Sequence, residues 1–101
     1  MADRIQLDPD GRVKLSSPRL YAVIMYNDDY TTMDFVVTIL MKVFHKTETE
    51  AQALMLEVHN AGKSAVGIYP YDLAVTRRMQ AEQLAAKHAF PLKITVDIAE
   101  G

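Results

Sequence analysis

Leu20-Tyr21-Ala22-Val23-Ile24-Met25-Tyr26-Asn27-Asp28-Asp29-Tyr30-Thr31-Thr32-Met33-Asp34-Phe35 holds the transition on which the fold turns. Residues 20–26 are aliphatic and aromatic throughout, the composition of a pleated strand. Asn27-Asp28-Asp29 breaks that run with three polar side chains. Thr31-x-x-Asp34 then resembles a capping box, in which a hydroxyl and a carboxylate satisfy first-turn amides. It predicts a helix to about residue 44.

The same devices recur downstream. Thr47-Glu48-Thr49-Glu50 opens a second helix, which stops near Gly62, a natural C-cap. Residues 64–69 read as a short strand in which Gly67 marks a bulge or a close backbone approach. Pro70 and Asp72 open a third helix to about residue 89. Pro91 closes it, and Leu92-Lys93-Ile94-Thr95-Val96-Asp97-Ile98 alternates as a third strand. The order β-α-α-β-α-β predicts an α+β sandwich: a three-stranded antiparallel sheet with three helices on one face. This core domain spans residues 18–101. Ahead of it, Ile5-Gln6-Leu7 and Val13-Lys14-Leu15 alternate around Asp8-Pro9-Asp10-Gly11, a turn sequence. An isolated hairpin is marginal in water, so residues 1–17 are expected to form a mobile N-terminal tail, with Ser16-Ser17-Pro18 as the boundary.

At 101 residues there is room for one core, and half the residues are hydrophobic, as in a globular chain. A net charge of −2 gives no electrostatic reason for nucleic-acid binding. The absence of cysteine removes disulfides and thiolate metal sites. The sequence around Met1-Ala2-Asp3-Arg4 has no apolar run of signal-peptide length. The longest apolar stretch, residues 35–44, is interrupted by Thr38 and Lys42 and is too short to span a bilayer. A soluble cytoplasmic domain without nucleic-acid or membrane partners is the expectation.

Two segments carry candidate chemistry. Met55, Val58 and His59 are spaced i, i+3, i+4 and share a helix face; Met33 and Val36 share the first turn of the first helix. That helix is apolar on more than one side, so one stripe should meet the sheet and another the second helix or a ligand. From spacing alone, ordinary core packing is the favoured account. The loop adds a polar element. Asp28 and Asp29 precede a helix N-terminus, where the dipole favours anions, and one such residue suffices for a cap. An Asn-Asp-Asp run offers more acceptors than a cap requires and suits a cation. A protein N-terminus is one, with a reference pKa of roughly 7.7–8.0. His59 reads either as a core histidine or as a group that orients this ammonium. Asp28, Asp29 and His59 match no standard metal spacing, no calcium or phosphate loop is present, and no nucleophile stands out. An enzyme, a metal site and a cofactor are therefore not expected.

From Pro18 to Ile98 the chain resembles ClpS, the bacterial adaptor that hands N-degron substrates to the ClpA-type AAA+ unfoldase. Tyr21-Ala22-Val23-Ile24, Asn27 through Val36, Met55-Leu56-Glu57-Val58-His59 and Gly62-Lys63 occur in the family's order and spacing. The resemblance implies a small βααβαβ sandwich similar to the C-terminal domain of the bacterial ribosomal stalk protein. It implies that Asn27, Asp28 and His59 hold the substrate's α-amino group, and that Asp29, Thr31, Met33, Val36, Met55, Val58 and Leu92 line the pocket for its first side chain. Met33 would act as a gate against β-branched residues. Expected partners are proteins and peptides starting with Phe, Leu, Tyr or Trp, and the N-terminal domain of the unfoldase, docked at Asp72 and Arg77. The chain departs from the family in Ala74-Val75-Thr76-Arg77, where Ala-Glu-x-Lys is common, and in Tyr26, which is usually aliphatic. Function then divides between an adaptor that reads N-termini and, as the alternative, an interaction module that modulates the ATPase without reading them. A small metal-dependent hydrolase is a third reading, which bound metal would reveal.

Overall fold

The computed structural model describes residues 4–7, 13–16 and 19–99. Two short strands, β1 (Arg4–Leu7) and β2 (Val13–Ser16), pair antiparallel, with Ile5 opposite Leu15 and Leu7 opposite Val13. The turn expected at residues 8–11 and the boundary at 17–18 lie outside the described residues. The core domain follows as β3 (Leu20–Tyr26), α1 (Met33–Lys42), α2 (Glu48–Ala61), β4 (Lys63–Pro70), α3 (Tyr71–Lys87) and β5 (Ile94–Ile98). β3 is central in the sheet order β4-β3-β5, antiparallel to both neighbours. This is the three-stranded α+β sandwich expected from the order of elements.

One sheet face builds the core. Val23 and Met25 of β3, Val66 of β4 and Ile94 of β5 are buried with Ile39 and Leu40 of α1, Ala51, Met55 and Val58 of α2, and Ala74, Ala81 and Ala85 of α3. The buried positions of α3 are all alanine, which lets this helix lie close on the sheet. At the β3–β4 pairing the register shifts: Val23 faces Gly67 and Ile24 faces Ala65, leaving Val66 as the extra, buried residue of a bulge. A Cβ at Gly67 would fall 2.5 Å from the tip of the Tyr69 ring, which would have to move aside to admit one. The bulge read from this glycine is present beside it, whereas its close neighbour is a side-chain ring and not a backbone.

The helix ends explain where the loops turn. At α2, Thr47 and Glu50 form a complete capping box, and Gly62 closes the helix at φ 88° with its N–H donating to the Val58 carbonyl. At α1 the expectation is corrected. Thr32, not Thr31, is the N-cap, its hydroxyl accepting from the Phe35 N–H at 3.2 Å, while the Thr31 hydroxyl is used in the preceding loop. α1 ends at Lys42, sooner than expected, through a reversal at His45 (φ 56°) that the Lys46 N–H closes onto the Leu40 carbonyl at 3.0 Å. α3 ends the same way at Ala89 (φ 60°), with the Phe90 N–H on the Ala85 carbonyl at 2.9 Å. Non-glycine residues in this left-handed region cost about 1–2 kcal/mol. His45→Gly and Ala89→Gly should therefore each stabilise the fold by about 1 kcal/mol and raise the melting temperature by roughly 4–8 °C. Thermal unfolding followed by circular dichroism checks this.

Candidate functional site

The loop leaving β3 is stitched to the end of α2. The Asn27 N–H donates to the Gly62 carbonyl at 2.9 Å, one residue beyond the Tyr26–Lys63 pair of the sheet. The left-handed Gly62 thus brings the last turn of α2, with Val58 and His59, beside the polar run that precedes α1. Between these elements lies a cavity of about 370 Å³, lined by residues 27–33 together with Val36, Met55, Val58 and His59.

The apolar wall comes from both helices. Val36 of α1 and Met55 and Val58 of α2 are buried, whereas Met33, the first residue of α1, is half exposed at the rim. The polar rim is formed by Asn27, Asp29 and His59, all exposed, with Asp28 partly buried. The Asp28 carboxylate organises the loop. Its Oδ1 accepts from the Tyr30 and Thr31 N–H groups at 2.8 and 2.7 Å, and its Oδ2 accepts from the Thr31 hydroxyl at 2.7 Å. Partial burial pushes this carboxyl up, but the hydrogen bonds from Thr31 and Tyr30 outweigh it and hold its pKa below the ordinary aspartate value. Because the folded pKa is depressed, this contribution to stability is complete above the unfolded value of about 3.9 and is lost as pH falls through the folded value. Through neutral pH the carboxylate is ionised, and three of its roughly four acceptor positions are occupied, which leaves one for a cation.

Nine of the ten residues expected for the pocket line this one cavity: Asn27, Asp28, Asp29, Thr31, Met33, Val36, Met55, Val58 and His59. Leu92 is the tenth and is not among the walls; it is buried in the core. Tyr30 and Thr32 also line the cavity and were not singled out, although their position inside the Asn27–Met33 run was the available signal. Among the described residues, no three His, Cys, Asp or Glu side chains are grouped to hold a metal. No helix among them is long and apolar enough to cross a membrane.

Asp72 and Arg77 belong to the far end of the sheet. Asp72 is exposed in the first turn of α3, next to Pro70, which pairs with Leu20. The cavity adjoins Tyr26 instead, and seven-residue β3 puts the two ends roughly 20 Å apart. Arg77 donates from Nη1 to Gln80 Oε1 at 3.1 Å. Burial raises the pKa of the nearby Tyr69 phenol, and the Arg77 charge partly offsets this.

Comparison with known proteins agrees with this architecture. Residues 16–95 match the family model described as ATP-dependent Clp protease adaptor protein ClpS. A ClpS adapter of Acetivibrio thermocellus is 44% identical over 97 residues, covering 96% of this chain and 98% of that protein. Another, from Wolinella succinogenes, is 47% identical over 83 residues, covering 82% of this chain and 81% of its own. Among solved structures, Agrobacterium tumefaciens ClpS2 bound to L-phenylalaninamide superimposes with a TM-score of 0.78 at 34% identity, covering 81% of this chain and 99% of that one. With a family model matched across most of the chain and relatives of this identity over nearly its full length, the chain belongs to the ClpS family of adaptor proteins of the Clp protease.

Proposed function

We propose that this protein is a non-enzymatic, cytoplasmic adaptor that captures proteins by a free N-terminus with a bulky hydrophobic or aromatic first residue. It then delivers them to the ClpA-type unfoldase of the ClpAP protease. The observation that carries this reading is the cavity between α1 and α2, which joins an apolar wall to a rim of one amide, two carboxylates and an imidazole. The Asn27 side-chain carbonyl, Asp28 and His59 receive the ammonium, and Met33, Val36, Met55 and Val58 enclose the first side chain. The ligand of the Agrobacterium ClpS2 structure, L-phenylalaninamide, has both features, a free α-amino group and a benzyl side chain, which supports the assignment. Charge-assisted hydrogen bonds of about 1.5–3 kcal/mol each and burial of a Phe or Leu side chain at about 1.5–3 kcal/mol oppose association costs of several kcal/mol. Micromolar affinity is the order of magnitude that results. Asp72 and Arg77 would dock the unfoldase's N-terminal domain, far enough from the cavity for substrate and ATPase to be held together. Residues 1–17 would be the segment the unfoldase engages during hand-over.

Titration with peptides that differ only at the first residue tests the assignment. Phe, Leu, Tyr and Trp should bind, and Ile, Val, Ser and Glu should not. Met33 is the basis of the β-branched exclusion: an unbranched thioether on the first helical turn accommodates flat or γ-branched side chains and clashes with branching at Cβ. Met33→Ala should admit Ile- and Val-initiated peptides within about tenfold of Phe, a gain on the scale of one relieved clash. A uniform loss of affinity for every peptide would make Met33 a wall rather than a gate. Binding of the unfoldase with no preference among peptides would favour the module that modulates the ATPase without reading N-termini.

A further inference from the structure

We infer that Tyr30 forms a second subsite, which selects substrates with an aromatic side chain at the residue following the N-terminus. This rests on the proposed reading of the cavity and extends it by one residue. Tyr30 lines the cavity yet is 75% exposed, far more than the other cavity-lining hydrophobic residues. Other aromatic rings of the domain are engaged. Phe35 meets Phe90 and His88 at 4.7 and 5.0 Å between centroids, Tyr21 meets Tyr71 at 5.0 Å, and the Tyr26 ring lies 4.8 Å from the Lys93 ammonium. Tyr30 therefore offers a face that the fold itself does not use.

The ring is presented from a fixed base. The Tyr30 and Thr31 N–H groups both donate to Asp28 Oδ1, so the carboxylate assigned to the ammonium also sets the backbone that bears the ring. A platform whose anchor is already ordered loses little freedom when a ligand stacks on it. The geometry of an extended ligand directs its second side chain there. Successive side chains of an extended chain point to opposite sides, so a first side chain buried against Val36, Met55 and Val58 turns the second toward the rim. Tyr30 is tied to Asp28 through its own N–H at 2.8 Å, so its ring is borne beside the carboxylate assigned to the ammonium, and the second residue of an extended ligand follows the first by about 3.3–3.6 Å. Offset or edge-on aromatic contact adds to simple area burial, which separates an aromatic second residue from an aliphatic one of similar size.

Three peptides, Phe-Trp-, Phe-Leu- and Phe-Gly- with identical uncharged continuations, titrated against the full chain, test the subsite without involving charge. In the wild type the Phe-Trp peptide should bind about three- to tenfold more tightly than the Phe-Leu peptide. Tyr30→Phe should keep that ratio, and Tyr30→Ala should bring it to about one. A wild-type ratio near one, or a ratio that persists in Tyr30→Ala, would overturn the inference while the three peptides still bind. If the wild type binds none of them, the reading of the cavity itself fails, and the subsite with it.

Discussion

Asp28→Ala should weaken binding of a Phe-initiated peptide by about ten- to a hundredfold, the effect of losing a charge-assisted hydrogen bond of about 1.5–3 kcal/mol to a desolvated ammonium. Two losses coincide in this variant. The ammonium loses its counter-charge, and the Tyr30 N–H, the Thr31 N–H and the Thr31 hydroxyl lose their common acceptor. Asp28→Asn separates them, because the amide oxygen keeps an acceptor for the loop but removes the negative charge. If charge attraction dominates, Asn should bind nearly as poorly as Ala; if loop order dominates, Asn should recover most of the affinity. Isothermal titration of both variants distinguishes the outcomes, and wild-type affinity in Asp28→Ala would remove Asp28 from the site.

Ile39→Ala should destabilise the domain by about 2–5 kcal/mol, through lost burial and the void left behind. Ile39 is fully buried on the α1 face that also carries Val36, one turn earlier, into the cavity wall. A domain of this size has roughly 5–15 kcal/mol of stability, so the variant should remain mostly folded at 25 °C. Its urea midpoint should fall while the slope of the transition is unchanged. Peptide affinity in the absence of urea should stay within about twofold of wild type, because the loss is in the folded fraction and not in a ligand contact. A large affinity loss with little change in midpoint would mean that Ile39 shapes the cavity directly.

What the sequence made legible follows from how local each signal is. Thr47, Glu50 and Gly62 act within one helical turn of their own chain positions, so spacing alone located both ends of α2. Strand β3 was equally plain, because no polar residue interrupts Leu20–Tyr26. The end of α1 was less plain, since its left-handed position holds histidine where glycine would have announced it; Pro91 marked the end of α3 to within two residues although alanine holds its left-handed position. The choice between Thr31 and Thr32 as N-cap was set by Asp28, which takes the Thr31 hydroxyl for the loop and leaves Thr32 to the helix. Leu92 illustrates the limit of transferring a role by resemblance. It lies just ahead of β5 and is buried, and whether it faces cavity or core depends on packing between elements far apart in sequence. Tyr30 was hidden for the opposite reason: its exposure on a loop edge has no periodic signature.

The proposed function requires that the cavity recognise a charged N-terminus together with the first side chain. The most direct measurement compares one Phe-initiated peptide with its N-acetylated form by isothermal titration at neutral pH. Acetylation leaves the side chain and every later residue intact and converts the charged ammonium into a neutral, bulkier amide with a single N–H donor. The free peptide should bind with a dissociation constant in the micromolar range, and the acetylated peptide should show at least a hundredfold loss, as expected when the polar rim loses its charged donor. Equal affinity for the two peptides would contradict the account.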